Sequence, residues 1–202
     1  MFENIDPDIR TSLIGFISGI LGAVVIFIKK ILDSIADKLF ESKDKVIETL
    51  NAGKLVKDSL ESLRVQWIAD RASIIQFHNG GFFSNGESMQ KFTITHEEIS
   101  PGVNPLCNVL KNVPLTSALW IGDIINGGLI AKVNDMQDVI SRTFFDEFGI
   151  KSIIGCPLKR NEKVIGMVLL QWVNNAGTFD DQSVKKLAEQ CKSIPALLKP
   201  IN

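Results

Sequence analysis

The sequence predicts an α+β protein: an antiparallel sheet flanked by helices, preceded by one apolar and one amphipathic helix. Three observations carry that expectation. Residues 145–198 run as helix end, strand, tight hairpin, strand, loop and helix, with a chemical signal at each junction. Residues 70–77 and 91–99 carry the β-branched alternation of strands. Residues 11–28 contain no charge at all.

The chain opens on an acidic stretch (Glu3, Asp6, Asp8), and Arg10 precedes the uncharged run, which Lys29 and Lys30 close. Spanning a hydrocarbon core takes roughly 17–25 residues. The run is at the short end, and Ile31 and Leu32 extend it to residues 11–32 when the lysines snorkel. Gly15, Gly19 and Gly22 fall on about one helical face, and Gly15 to Gly19 is a GxxxG match that permits close helix approach. A signal peptide starts basic and ends at small residues, whereas this segment starts acidic and no such site follows it. The expectation is a retained transmembrane helix over 11–32 behind a short exterior N-terminus, 1–10. A buried or interfacial helix is the alternative. Lys29, Lys30, Lys38, Lys43 and Lys45 follow the span, against Arg10 alone before it. That bias predicts a single-pass protein of the inner (plasma) membrane with its C-terminal part in the cytoplasm.

Residues 31–67 hold no proline and a single glycine, Gly53. Leu32, Ile35, Leu39, Val46 and Leu50 fall on a three-four spacing with a polar gap at Ser42, and the pattern resumes after Gly53 at Val56, Leu60, Leu63 and Trp67. This is an amphipathic helix of coiled-coil type. Its part over 33–59 reads as a stalk. The second stripe has a domain to pack on, 60–202. The first has none, so it reads as a homodimer stalk or as a helix on the membrane surface. Homodimer contacts are expected through residues 11–60.

Within the domain, residues 70–77 form a strand that His78, Asn79, Gly80 and Gly81 end in a positive-φ turn. Residues 82–90 read as loop. The strand over 91–99 puts Phe92, Ile94 and His96 on one face, and Thr93, Thr95 and Glu97 on the other. Asn104 caps a helix through Lys111 with Leu106, Val109 and Leu110 inward. A short helical piece runs from Pro114 to near Trp120, and a Gly127-Gly128 turn leads to a strand over 129–133. The helix over 138–148 is apolar at Val139, Ile140, Phe144 and Phe148, and Gly149 closes it. Strands over 151–158 and 164–173 flank a turn at 160–163. The last helix, capped within 178–181, is apolar at Val184, Leu187, Ala188, Cys191, Ile194 and Leu198.

Phe148-Gly149 at a helix end, Cys156-Pro157-Leu158 in a strand and Val164-Ile165-Gly166 in its return resemble the closing half of a GAF domain, the small-molecule-sensing relative of PAS. The resemblance covers roughly 60–198. It implies a GAF-like antiparallel sheet flanked by helices, in a module that binds or senses. Its matching residues are fold determinants: Gly166 lets the strand approach a neighbour, and Pro157 suits an edge. Bilin-binding members carry a cysteine followed by histidine, and no such pair occurs here. Cyclic-nucleotide-binding members carry an Asn-Lys, Phe, Asp-Glu signature. Phe144-Phe145-Asp146-Glu147 echoes only its end, and Asp146 and Glu147 read as a solvated helix side.

A net charge of −1 excludes a general attraction for nucleic acid. Cys107, Cys156 and Cys191 are far apart in sequence and odd in number, which predicts free buried thiols in a reducing compartment. His78 and His96 are the only histidines, and neither lies near a cluster of metal-ligating residues, so no metal and no cofactor is expected. Enzyme motifs are absent: there is no P-loop, GxSxG, HExxH or kinase set. The candidate ligand-binding residues are His78 and Asn79 as polar anchors of a pocket, Phe92, Trp120 and Phe144 as aromatic walls, and Asp123. The aromatics read equally as core, and Asp123 as a turn cap. Phe82-Phe83 in a glycine-rich segment favours a partner.

Two functions follow. The first is a membrane-anchored module that binds a small cytosolic ligand and signals through the helical stalk. The second is a non-catalytic structural or protein-interaction membrane protein, of the kind phages and mobile elements encode, with a degenerate, filled pocket.

Overall fold

The computed structural model describes residues 7–82, 88–180 and 182–200; the side chains of 7–23, 25, 33–43, 81, 82 and 88 are outside that description. Helix α1 spans Pro7–Gln66. The chain divides into two compact units, 1–50 and 51–202.

In the first unit Val24, Ile26, Phe27, Ile28, Ile31 and Leu32 are all exposed. Successive helical residues are about 100° apart, so these side chains ring the helix. Among the described residues no helix is long and apolar enough to cross a membrane. Most of the expected span, with Gly15, Gly19 and Gly22, lies outside the described side chains, as do Ile35, Leu39, Phe82 and Phe83. Val46 and Leu50 of the expected stalk stripe are exposed.

The second unit is a six-stranded sheet in the order β3-β2-β1-β6-β5-β4. Its strands are β1 Arg71–Phe82, β2 Ser88–Ile99, β3 Val113–Pro114, β4 Leu129–Lys132, β5 Ser152–Arg160 and β6 Lys163–Trp172. Every neighbouring pair is antiparallel. The helices are the end of α1, α2 Trp120–Gly127, α3 Val139–Glu147, α4 Ser183–Gln190 and α5 Ile194–Leu197.

Each face of the sheet carries its own core. On one, Val56, Leu60 and Leu63 of α1 pack with Leu187 and Ile194 against Ala72, Ile74, Ile154, Val168 and Leu170. So Val56, Leu60 and Leu63 of α1 cover the domain that follows them. On the other, Trp120, Ile121, Ile124 and Phe145 pack against Ile75, Phe92, Ile94, Ile153, Met167 and Leu169. The strand alternation sorts these sets, because neighbouring residues point to opposite faces.

The closing hairpin follows its sequence signals. Asn161 and Glu162 both take positive φ (48° and 61°), the mark of a two-residue I′-type turn. Gly149 at φ 66° ends α3. A Cβ on Gly166 would stand 2.2 Å from the Ile75 carbonyl oxygen, so β6 approaches β1 as glycine alone allows. Pro157 lies beyond the last β4 partner, Gly155, so β5 has an open edge on that side there while β6 pairs with it on the other.

Three expectations are corrected. The His78-Asn79-Gly80-Gly81 turn does not form. β1 continues to Phe82, and Gly80 is in the strand, with Lys91 lying where its Cβ would be. The strict alternation over 91–99 breaks at a bulge: Ile75 pairs with Ile94 but Ile74 with His96. Glu97 therefore joins the face of Phe92 and Ile94, while His96 joins the face of Ile74. The helix from Asn104 to Lys111 is replaced by turns. The Asn104 carbonyl, which a helix would use, accepts from Arg71 Nη2 at 2.6 Å, and Glu97 takes the Leu106 and Cys107 N–H groups. Leu106 and Leu110 are still buried, but Val109 is exposed.

Helix α3 also turns a different side inward. Asp138 caps it through the Ile140 and Ser141 N–H groups, which sets its phase. Phe145 is fully buried, Phe144 and Phe148 are half-buried, and Val139 and Ile140 are exposed.

Candidate functional site

At the far end of β1 the face covered by α1, α4 and α5 opens into a cavity of about 380 Å³. Gln76, His78 and Asn79 of β1 and Arg160 and Lys163 of the β5–β6 hairpin line it, with Lys199 and Pro200 of the C-terminal tail. Polar side chains hold these pieces together. Thr95 Oγ1 donates to Gln76 Oε1 (2.9 Å), and Gln76 Nε2 donates to the Lys199 carbonyl (2.9 Å). Arg160 Nε donates to the Pro195 carbonyl (3.1 Å), and its Nη2 donates to the Pro195 and Leu198 carbonyls. The tail is thus fixed at two points, and the cavity lies beside them.

His78 is 8% exposed. Its Nε2 lies 2.9 Å from Thr93 Oγ1 and its Nδ1 3.3 Å from the Asn79 carbonyl. Thr93 Oγ1 in turn accepts the Asn112 N–H (3.0 Å). Asn79 is exposed and accepts from Gln90 Nε2 (2.8 Å). His78 is therefore a held group and Asn79 a rim group.

The other candidate residues fall elsewhere. Trp120 is the hub of an aromatic cluster, with ring centroids 6.3 Å from Phe92, 5.8 Å from Phe144 and 5.0 Å from Phe145. Phe92 is fully buried and Trp120 nearly so. These rings fill the space between sheet and helices. The Trp120 Nε1 is buried there without a hydrogen-bond partner. Asp123 is an exposed residue in the first turn of α2. It edges a separate cleft of about 500 Å³ with Lys132, Asp135 and Asp138. The structure thus brings His78 to Asn79, and Phe92 to Trp120 and Phe144, and keeps Asp123 apart from both groups.

Two features escaped the sequence. The first is a buried ion pair: Arg71 Nε faces Glu97 Oε1 at 3.0 Å with both side chains almost fully covered. That contact is off the hydrogen-bond line, since Nε has no hydrogen-bond partner. Arg71 Nη1 donates to Gln171 Oε1 (2.8 Å). Burial pushes the Arg71 guanidinium down, while the Glu97 and Asp70 carboxylates push it up. A charged residue in the apolar phase of a strand was the available signal, and the bulge hid Glu97's half of it. The second is the cluster of cavity walls. Arg160 and Lys163 were legible as turn residues only, and nothing in the sequence pairs Gln76 with Lys199.

The thiols are free, as expected. Cys156 and Cys191, far apart in sequence, meet in one core. Contact with the Cys156 thiol, then burial, pushes the Cys191 thiol far up. Cys107 is half-buried rather than buried, and burial and then Glu97 push its thiol up. Burial holds His96 down. Among the described residues, no three His, Cys, Asp or Glu side chains gather as a metal site would require.

No protein-family model and no curated protein matches the chain. Solved structures do. The blue-light absorbing form of the PixJ GAF domain of Thermosynechococcus elongatus aligns over 74% of this chain and 86% of its own, at TM-score 0.56 and 10% identity. The fold is GAF-like. A photoproduct-state GAF domain from Synechocystis covers 71% of this chain and 90% of its own (TM-score 0.55, 14% identity). The GAF domain/HD domain protein of Geobacter sulfurreducens covers 74% and 92% (TM-score 0.53, 12% identity). At such identities the likeness speaks for the fold alone, and function is argued from the site.

Proposed function

We propose that this chain is a GAF-like sensory or regulatory module that binds a small cytosolic ligand and is not an enzyme. The observation that supports this is the polar-edged cavity beside His78 and Asn79. Ligand sites are typically concavities of about 300–1,000 Å³ with a few converging polar groups. The GAF-like fold, shared with photosensory domains, agrees with sensing. One of those neighbours is a phytochrome GAF domain with bound phycocyanobilin. The corresponding proposal here is a reversible ligand, since this sequence has no Cys-His pair.

The membrane part of the proposal rests on the uncharged run over 11–28 and on the ring of exposed apolar side chains from Val24 to Leu32. In it, residues 11–32 anchor the chain, the C-terminal unit is cytoplasmic, and a homodimer forms through 11–60. Full-length protein in detergent, screened against cellular metabolites by thermal denaturation, tests the ligand. A specific binder raises the midpoint in proportion to ln(1 + [L]/Kd). Asn79→Ala abolishes that rise in this proposal, and a rise it leaves untouched removes the cavity from consideration.

One observation favours the alternative, a protein-interaction role. On the other face of the sheet Phe92, Trp120 and Phe145 are buried in a packed apolar core, where an open receptor would keep room for a ligand. A chain that ignores every metabolite but captures one stoichiometric protein partner would establish that second reading.

A further inference from the structure

We infer that the cavity beside His78 and Asn79 takes a small, multiply charged oxyanion, gripped by Arg160 and Lys163 of the β5–β6 hairpin. This rests on the proposed reading of that cavity as a ligand site.

Three cationic side chains, Arg160, Lys163 and Lys199, line the cavity together with the amides of Gln76, Asn79 and Gln90. No carboxylate is among the described residues that line it. The chain as a whole has a net charge of −1, so this concentration of one sign is local. Arg160 and Lys163 are directly opposite each other in the ladder that closes the hairpin. Opposed residues of an antiparallel pair project to the same face, and like charges there repel. The turn between them is a two-residue one built on Asn161 and Glu162 at positive φ. It holds the two cations in register without a glycine to relax it.

No described carboxylate pairs with Arg160 or Lys163. Lys163 has no ion-pair partner among the described residues. Arg160 spends Nε and Nη2 on the tail carbonyls, and no described group accepts from its Nη1. An oxyanion set between Nη1 and Lys163 Nζ relieves the repulsion and gains charge-assisted hydrogen bonds. The held His78 ring and the Asn79 amide then supply the polar end of the same cavity. The volume of about 380 Å³ suits a small molecule, not a polymer. Phosphorylated metabolites and polycarboxylates share this chemistry, so both are probed.

The test uses the full-length chain in detergent, titrated with pyrophosphate and with citrate against sodium chloride at matched ionic strength. Binding is read from the thermal midpoint and from the His78 ring proton signals. The expected result is saturable binding of at least one probe. Lys163→Gln weakens it about ten-fold, and Lys111→Gln, an exposed change outside the cavity, leaves it unchanged. Arg160→Gln is unsuitable because Arg160 also holds the tail. No saturation by either probe overturns the inference, as does equal weakening by both variants, which marks plain ionic screening. A neutral fragment library separates the two failures. Neutral fragments that shift His78 while the oxyanions do not would retain the ligand site and discard its charge preference. Silence from both discards the site as well.

Discussion

The two faces of the sheet use β1 differently. On the α2–α3 face, Ile75 and Phe77 enter a core built from the rings of Phe92, Trp120 and Phe145. On the α1–α4 face, Ala72 and Ile74 are packed, but the next two residues in phase, Gln76 and His78, leave the apolar core for a polar cavity. One strand thus serves a filled face and a face that is filled only halfway along. The difference teaches that a pocket here depends less on large side chains than on where apolar cover stops. No residue of α4 or α5 lines the cavity among the described residues, and the tail at Lys199 and Pro200 borders it instead.

The largest effects are expected on the filled face. Phe145→Ala should cost about 3–5 kcal/mol of unfolding free energy. It should leave cavity binding at low temperature intact, a comparison that urea unfolding with and without ligand makes. Glu97→Gln leaves the Arg71 charge buried without its counter-ion, and breaking such pairs costs about 3–5 kcal/mol. Denaturation should also show the 101–111 segment becoming the first site of proteolysis. A smaller loss follows where the faces share a backbone contact. Gly166→Ala drives a Cβ into the Ile75 carbonyl, and overpacking of that kind costs about 1–3 kcal/mol. A Gly166→Ala protein as stable as the parent would mean that β1 and β6 separate more easily than their register indicates.

A pH effect comes next. Burial raises the Asp70 carboxyl, but hydrogen bonds from the Asn174 and Val173 N–H groups and the Asn174 side chain outweigh it and hold the group below its ordinary value. A lowered carboxyl contributes stability that is fully present above its unfolded value and lost as pH falls through the folded one. Stability should therefore decline below about pH 4, and Asp70→Asn should flatten that decline. It should not abolish it, because Asp138 and Asp180 are held low too, first by the Ser141 and Ser183 hydroxyls. The smallest stability effect belongs to the cavity rim. Asn79→Ala, at an exposed position, should change stability by no more than about 0.5 kcal/mol, while removing the ligand-induced rise in midpoint.

How much was legible depended on the range of the interaction. The hairpin at 160–163 and the Gly149 helix end rest on neighbours in sequence or on one residue's own φ, and both form where the sequence places them. Gly166 marks a close approach in the sequence, but its partner, Ile75, is set by the sheet. Glu97 was misplaced by one bulge, because alternation assumes an unbroken ladder. The segment 104–111 has a capping residue and apolar spacing for a helix. Arg71 and Glu97, both distant, took the backbone groups that the helix needed. His78 and Asn79 were picked as pocket anchors from polarity at a strand end. The aromatic candidates Phe92, Trp120 and Phe144 had the composition of a ligand wall and the location of a core.

By itself the sequence determined the type of the elements outside 78–81 and 104–111, the hairpin that closes the sheet and the division of apolar residues between strands and helices. Those follow from local torsional preference and from periodicity, which any short window of chain expresses. Only the tertiary structure decided which charged residues are buried, which aromatics fill one face, and that Gln76, Arg160, Lys163 and Lys199 share a wall. Such meetings join residues up to 123 positions apart, as Gln76 and Lys199 are, and no periodicity in the chain encodes a contact of that range.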